Sequence, residues 1–390
     1  MTFSRQPAST PHGARIDGID LLRGLAIFFV LMNHVNVRLL IAKIPYTTGL
    51  PRQLIGALVW NGQPGVQIFF AISGFLITTT ALRRWTDLSQ VSLRGFYLMR
   101  FARIAPLLIL LLAILSTFHF AGLHDFVVTA KTGGLWQALF AALTLHINVL
   151  EARRGYLPGN WDILWSLSIE EMFYLFFPLV SRLFARVKLF MPLLATFVLI
   201  GPFARTVLVH DNPLWKEYSY LGGMDAIALG CLTALASARF PLSRRVLRGI
   251  ALAGAALAIF ILCFAAQPAN LALERTGLDM TVLALAICFL IAAAAQTNWT
   301  SPRVLRPLLL LGQYSYEVYL THMFVVFALF HLYLLASRHV AAVPVLFLSV
   351  IVISGLFGGF VARTFSEPLN HLIRMRWRSP QQAHHSAERV

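Results

Sequence analysis

The sequence predicts an all-α, polytopic membrane protein with about ten transmembrane helices, and three observations carry the prediction. First, 58% of the 390 residues are hydrophobic and only 12% are charged, too few polar side chains to cover a water-soluble fold of that size. Second, the apolar residues are gathered into runs of about 20, the length at which a helix crosses a hydrocarbon core of about 30 Å. Third, the basic residues stand in short clusters between those runs, as they do on the cytoplasmic side of multi-pass proteins. The formal net charge of +16 therefore reads as a topology signal. Separate clusters make no continuous basic surface, and no nucleic-acid partner is expected.

In chain order the spans are predicted near 20–41, 65–82, 104–122, 161–184, 189–209, 219–237, 249–266, 280–296, 314–336 and 343–365. Arg83, Arg84, Arg94, Arg100 and Arg103 separate the second span from the third. Arg182, Arg186 and Lys188 follow the fourth, and Arg239, Arg244, Arg245 and Arg248 the sixth. Arg303 and Arg306 precede the ninth, and Arg374, Arg376 and Arg378 follow the tenth. All these clusters fall on one side, with both termini cytoplasmic, provided that "LWQALFAALTLHINVL" (135–150) does not cross. That stretch is short for a span and holds His146, so a re-entrant or interfacial helix on the outer side is expected. The organisation expected is a polar tail at 1–19, one membrane domain at 20–366 and a polar tail at 367–390. The first apolar run is too long for a signal-peptide core and has no clear small-residue cleavage site, so it is expected to stay as an uncleaved anchor. Cys231, Cys263 and Cys288 lie within apolar runs and form no disulfide framework or metal-ligand spacing. No metal and no permanently bound cofactor is expected.

Ionisable residues inside the spans are the functional signal, because each is costly in lipid. The first span, "IDLLRGLAIFFVLMNHV" (19–35), carries Asp20, Arg23 and His34. Arg23 and His34 are eleven residues apart, which puts them on one helical face about 16 Å apart. Asp20 lies one turn before Arg23 and can pair with it. In the fourth span, "WDILWSLSIEEMFYLFFP" (161–178), Glu170 is predicted at a depth similar to that of His34, so the two can share a cavity in which the carboxylate orients the imidazole. Glu171 points about 100° away and is expected to pair with another helix. Ser73 and Gly74 in "QIFFAISGFLI" (67–77) suit close helix approach. Asp225 lies in "MDAIALG" (224–230), within the sixth span. Ser315, Tyr319 and His322 in "YSYEVYLTH" share one helical face, and His322 is either a second cavity residue or a structural histidine. Arg100 and Arg103, one turn apart in "RFARIAP" (100–106), reflect either topology or a phosphate site; Arg23 sits at the same edge.

Together these segments resemble acyltransferase family 3 of integral membrane acyltransferases. The resemblance runs along nearly the whole chain. It rests on "DLLRG" through His34, "FFAISGFLIT", "RFARIAP", "WSLSIEEMFYLFFP", "MDAIALG", "SYEVYLTH" and the terminal "FSEPL" (365–369). The sequence departs in reading "DGIDLLRG" where the family often has one Asp-Gly-Leu-Arg-Gly; Asp20 is aligned with the family's aspartate and Asp17 left unassigned. The resemblance implies transfer of an acyl group, usually acetyl, from cytoplasmic acyl-CoA to a hydroxyl of a carbohydrate or small molecule. The family's residues fall on Arg23, His34, Arg100, Arg103 and Glu170. The expected roles are His34 as general base with Glu170, and the three arginines for acyl-CoA. Asp20, Ser73, Trp165, Ser166, Tyr174, Asp225, Tyr319 and His322 are expected to support the cavity. The expected partners are acyl-CoA, a carbohydrate-like hydroxyl acceptor and the lipid bilayer, and the expected location is a bacterial inner membrane. No Cys or Ser sits in an evident nucleophile motif, which favours direct transfer and leaves an acyl-histidine intermediate open. Many relatives carry a fused extracytoplasmic hydrolase-like domain; with about 25 residues after the last span, none is expected here. The rival reading is a transporter of an anionic or sugar-linked substrate, against which stands the lack of paired halves with broken spans.

Overall fold

The computed structural model describes residues 15–186, 189–208, 212–264, 267–297, 299–336 and 338–376. Among them every regular element is helical. The long helices are α1 (Asp17–Ile41), α2 (Gly62–Trp85), α3 (Leu93–Phe120), α4 (Leu164–Arg186), α5 (Phe190–Thr206), α6 (Tyr220–Arg239), α7 (Arg244–Cys263), α8 (Asp279–Gln296), α9 (Ser315–Ala336) and α10 (Val343–Val361). All but α5 belong to the nine helices, among the described residues, that are long and apolar enough to cross a membrane. The 17 residues of α5 make about 25 Å of helix, slightly short of a hydrocarbon core.

Side-chain contacts nevertheless require α5 to carry the chain across. Beyond α5, Asn212 donates to the Ala152 carbonyl (2.7 Å) and the Tyr218 hydroxyl to Asp162 (2.9 Å), both beside the start of α4. The chain therefore leaves α4 at one end of the bundle and begins α6 at the other. With α5 counted, ten helices among the described residues traverse the bundle, in the order the sequence predicts.

The stretch 135–150 does not form a straight helix. It divides between Gly134–Leu143 and Ile147–Arg154, and the first of these is bent by 95° from the preceding 124–132 segment. Such a bend makes a broken or re-entrant segment, as its short length and polar content predict.

Crossings without side-chain spacers set helix positions, and two of them are the tightest among the described residues. On α2 and α6, a Cβ on Gly74 would overlap the Ile227 carbonyl, and one on Gly230 would overlap the Ala71 carbonyl. Between α1 and the short helix Arg306–Gln313, Gly24 meets the Leu308 carbonyl and Gly312 the Asp20 carbonyl in the same way. Small residues at membrane helix contacts let backbones approach to van der Waals distance, where dispersion replaces the missing hydrophobic drive.

The basic clusters gather at one end of the bundle. The Leu242 N–H donates to Gln296 (2.9 Å) and the Ser301 N–H to Asp17 (2.8 Å), joining the α6–α7 turn, the end of α8 and the start of α1. After α10, a π-helical turn at Ala362–Ser366 leads into the helix Glu367–Arg376, which packs against α3. The expected C-terminal tail thus begins as helix, and the expected N-terminal tail gives way to helix at Asp17. The remainder of both tails, together with Lys188 and Arg378, lies outside the described residues.

Candidate active site

A cavity of about 530 Å³ opens at the arginine-bearing end. Along α2 it is lined from Arg84 to Val66, about 27 Å at 1.5 Å per residue, so it penetrates most of the bundle's thickness. Its mouth holds Arg84, Arg100, Arg103 and Arg374; its deep end holds Val66, Phe69, Ser166 and Tyr319. The walls are contributed by α2, α3, α4 and α9.

Arg100 and Arg103 are flanked by neutral aromatic rings, and Arg23 by a hydroxyl and a carboxylate. The guanidinium of Arg100 lies 3.4 Å from the Tyr174 ring centre, a cation–π contact, and that of Arg103 lies 5.9 Å from the Tyr316 ring centre. Arg23 donates from Nε to the Ser315 hydroxyl (3.1 Å), and its Nη1 lies 3.8 Å from Asp20, the pairing that their i, i+3 spacing predicts. Arg23 lines the cavity; Asp20 stands behind it.

Glu170 lines the cavity wall. Ser73 from α2 and Tyr174 from one turn further along α4 both donate hydroxyl hydrogen bonds to its Oε1. Ser73 therefore has a polar partner as well as a place beside the close-packed Gly74. Ser166 and Tyr319 close the deep end: their hydroxyls are 2.6 Å apart, and the Tyr319 hydroxyl also donates to the Ile163 carbonyl (2.9 Å).

His34 is absent from the cavity lining and lies beyond its deep end. Its ring is 5.0 Å from that of His322, centre to centre. His322 is fully buried, and its ring centre is 5.8 Å from that of Tyr319. Arg38, one turn beyond His34 on α1, stacks over Phe327 at 4.3 Å. Gly159 packs close enough that a Cβ there would touch Met323, Arg38 and Phe327. The loop before α4 thus covers the outer side of the histidine pair.

The expectations for Glu170, Asp225 and Trp165 need correction, and Asp20 and His322, also expected to support the cavity, lie outside its lining. No hydrogen bond or ion pair joins Glu170 to His34; Glu170 is held inside the cavity, and the histidine's ring partner is His322. Similar depth along two helices did not bring them together, because α9 supplies the ring beside His34. Asp225 does not line the cavity. It is buried in an ion pair with Arg205 (2.8 Å) and also takes hydrogen bonds from Gln67 (3.1 Å) and Thr281 (2.5 Å). Trp165 also lies outside the lining and stacks on Tyr218 with centres 4.2 Å apart.

Sequence reasoning missed Glu171, Ser315, Tyr316 and Arg374 as cavity residues. Glu171 is 100° from Glu170 around α4, but the cavity is wide enough that α4 lines it with Ser166, Leu167, Glu170, Glu171 and Tyr174. The adjacent acid was the available signal for Glu171. Arg374 had none, because it reaches the mouth only through the fold-back of the last helix.

Comparison with known proteins agrees with this architecture. The family described as "Acyltransferase domain" matches residues 16–362. O-acetyltransferase OatA of Staphylococcus aureus (strain NCTC 8325 / PS 47) is 24% identical over 324 residues, covering 79% of this chain and 50% of that protein. "Putative O-acetyltransferase SACOL0978" of Staphylococcus aureus (strain COL) is 29% identical over 169 residues, 42% of this chain and 24% of that protein. The chain therefore spans half or less of the length of these curated relatives. No solved structure matches it. With the family match covering most of the sequence, from the start of α1 to the end of α10, the chain belongs to acyltransferase family 3.

Proposed function

We propose that the protein is a membrane O-acyltransferase that takes an acyl group, most simply acetyl, from acyl-CoA on its arginine-bearing side and passes it to a hydroxyl of a glycan-like acceptor. The supporting observation is the cavity: cations at the mouth, a bore of about 27 Å, and two histidines just past its closed end. The phosphates of CoA suit Arg100, Arg103 and Arg23, since guanidinium groups recognise phosphate through directed hydrogen bonds as well as charge. The pantetheine arm then runs along the bore toward Tyr319 and delivers the thioester to the neighbourhood of His34.

The acceptor approaches from the opposite end, past Arg38 and the Gly159 loop. His34 accepts the hydroxyl proton as the oxygen attacks the thioester carbonyl; the C–O bond forms and the C–S bond breaks. The proton is then available to the CoA thiolate, so the reaction balances without any further reactant. Glu170 acts from within the cavity, where its negative charge, held by two hydroxyls, offsets the imidazolium that forms during turnover.

The test uses inverted membrane vesicles carrying the full chain, which present the cytoplasmic face outward. Radiolabelled acetyl-CoA is added and label is followed into the envelope glycan fraction. Transfer that depends on the chain and is lost in His34→Gln supports the proposal. Absence of transfer, or full activity in His34→Gln, refutes it.

A further inference from the structure

The His34–His322 contact has a directionality fixed by chemistry. Nδ1 of His322 lies 2.6 Å from the Tyr319 carbonyl oxygen. A carbonyl can only accept, so Nδ1 carries the proton. In the neutral ring Nε2 is then a bare lone pair. That atom is buried and has no hydrogen-bond partner among the described residues. A buried acceptor left without a donor is costly, and such atoms in native folds call for an explanation. The neighbouring Tyr319 hydroxyl already donates to the Ile163 carbonyl, which leaves the His34 ring, 5.0 Å away between centres and tilted by 48°, as the donor at hand. A rotation of the His34 ring brings one of its nitrogens toward hydrogen-bond distance of Nε2.

We propose that His322 is the positioning residue of the transfer reaction: its Nδ1–H is fixed by the Tyr319 carbonyl, and its Nε2 accepts the N–H of His34, which leaves the other His34 nitrogen as the lone pair that takes the acceptor's proton. The inference rests on the reading of His34 as the base. The chain runs from the Tyr319 carbonyl through His322 to His34 and then to the acceptor hydroxyl. When the hydroxyl oxygen attacks the thioester, its proton moves to His34, the ester C–O bond forms, the C–S bond breaks, and His34 returns the proton to the CoA sulfur. His322 keeps its own proton throughout.

A histidine suits this position better than an acid would. An ionised carboxylate at this fully buried position would be a charge in a low-dielectric surround between turnovers. An imidazole fixes the tautomer of its partner while both rings stay neutral. Tyr319 joins the two halves of the site, since its carbonyl orients His322 while its hydroxyl, bonded to Ser166, closes the donor cavity.

The vesicle assay with radiolabelled acetyl-CoA tests this through two substitutions that each keep one half of the ring. His322→Asn keeps a donor for the Tyr319 carbonyl, but its shorter side chain puts no acceptor at the Nε2 position. His322→Gln places an amide oxygen near the position of Nε2. His322→Asn is expected to lower the maximal rate about 10²-fold, the scale of a disabled general base, with the Michaelis constant for acetyl-CoA unchanged within twofold. His322→Gln is expected to recover at least about fivefold over His322→Asn, and His34→Gln/His322→Asn to fall no more than about threefold below the slower single variant. Size-exclusion chromatography checks folding; where His322→Asn does not fold, His322→Gln is set against His322→Leu on the same readout. Activity of His322→Asn within threefold of wild type, or equal impairment of His322→Gln and the variant lacking an acceptor, overturns the inference. If His34→Gln is dead while His322→Asn is active, only the positioning role fails. If the wild type itself transfers no label, the reading of His34 as the base fails with it.

Discussion

The hydroxyl of Ser73 on α2 donates a hydrogen bond to the carboxylate of Glu170 on α4, at the same oxygen that accepts from Tyr174. A carboxylate so held is fixed in position and its charge is spread over two donors, the arrangement of a preorganised electrostatic site. Ser73→Ala and Tyr174→Phe each remove one donor without changing the backbone. Each is expected to lower turnover about tenfold, equivalent to about 1.4 kcal/mol at the transition state, and Glu170→Gln to lower it further. The double variant is expected to lose less than the product of the singles, because both act through one oxygen. Rates of acetyl transfer in the four proteins check this; a multiplicative loss would show that the hydroxyls act independently of Glu170.

Arg100 and Arg103 lie at the mouth of the cavity on successive turns of α3. Arg100→Ala and Arg103→Ala are expected to raise the Michaelis constant for acetyl-CoA about tenfold each while changing the maximal rate less. The effect of Arg103→Ala is expected to shrink as salt is raised from low to physiological strength, because exposed charges are screened beyond about 10 Å at 0.1 M, and that of the half-buried Arg100 to shrink less. An unchanged Michaelis constant in both variants would remove the arginines from the donor site.

Much of this architecture was legible in the sequence because a bilayer leaves few options. Backbone polar groups must be satisfied within each span, so apolar runs of the right length become helices, and the arginine clusters order them. The i, i+3 pairing of Asp20 with Arg23 and the shared face of Ser315 and Tyr319 followed from helical periodicity alone. Contacts between helices did not. Nothing in the spacing within α1 or α4 reveals that α9 supplies the ring beside His34, or that Asp225 is claimed by Arg205 from α5. Those partnerships depend on crossing geometry, which is set by backbone contacts at Gly74, Gly230, Gly24 and Gly312 that a one-dimensional pattern does not encode.

Topology follows from the same geometry. A reporter fused after Ala152 is expected on the opposite side of the membrane from one fused after Arg376. Ala152 accepts a hydrogen bond from Asn212 at the end of the bundle where α6 begins, whereas the final helix packs against α3 by the cavity mouth. Paired alkaline phosphatase and green fluorescent protein fusions read the two sides. Identical reports from both sites would mean that α5 does not cross.

The Arg205–Asp225 pair links α5 to α6, and Arg205 also donates to the Gly277 carbonyl (3.0 Å) and to Thr281 (2.5 Å). Both members are buried, so removing one leaves an uncompensated charge. Arg205→Ala is expected to destabilise the fold by about 3–5 kcal/mol. Replacing both with apolar residues, as Arg205→Met with Asp225→Leu, is expected to recover much of that loss. Thermal unfolding in detergent, followed by tryptophan fluorescence, measures it. A double variant no more stable than Arg205→Ala would point to the hydrogen bonds with Gly277 and Thr281 as the dominant contribution.

Glu151, in the short helix Ile147–Arg154 at the opposite end from the cavity mouth, is fully buried and accepts a hydrogen bond from the Leu157 N–H (3.0 Å). Burial pushes its carboxyl well above the usual carboxylate range, and the nearby Asp162 adds to the shift, while the Leu157 N–H opposes it. The folded protein therefore favours the protonated form at pH values where the unfolded chain is ionised. The associated stability is fully present below about pH 4.3, the ordinary glutamate value. It falls as pH rises above that, by at most about 1.4 kcal/mol per pH unit, and stops falling once the folded-state carboxyl has itself ionised. Asp162, the Tyr218 hydroxyl bonded to it, Tyr156, Glu217 and Arg38 are titratable or charged groups around this junction. Glu151→Gln keeps the shape and a carbonyl acceptor for Leu157 but cannot ionise. It is expected to unfold at a higher temperature than the wild type at pH 8 and at a similar temperature at pH 4.5, with a flatter profile between. A wild-type profile parallel to that of Glu151→Gln would show that the Glu151 carboxyl ionises alike in the folded and unfolded chain, and one that rises with pH relative to Glu151→Gln would show pairing with a cation; either overturns the expectation.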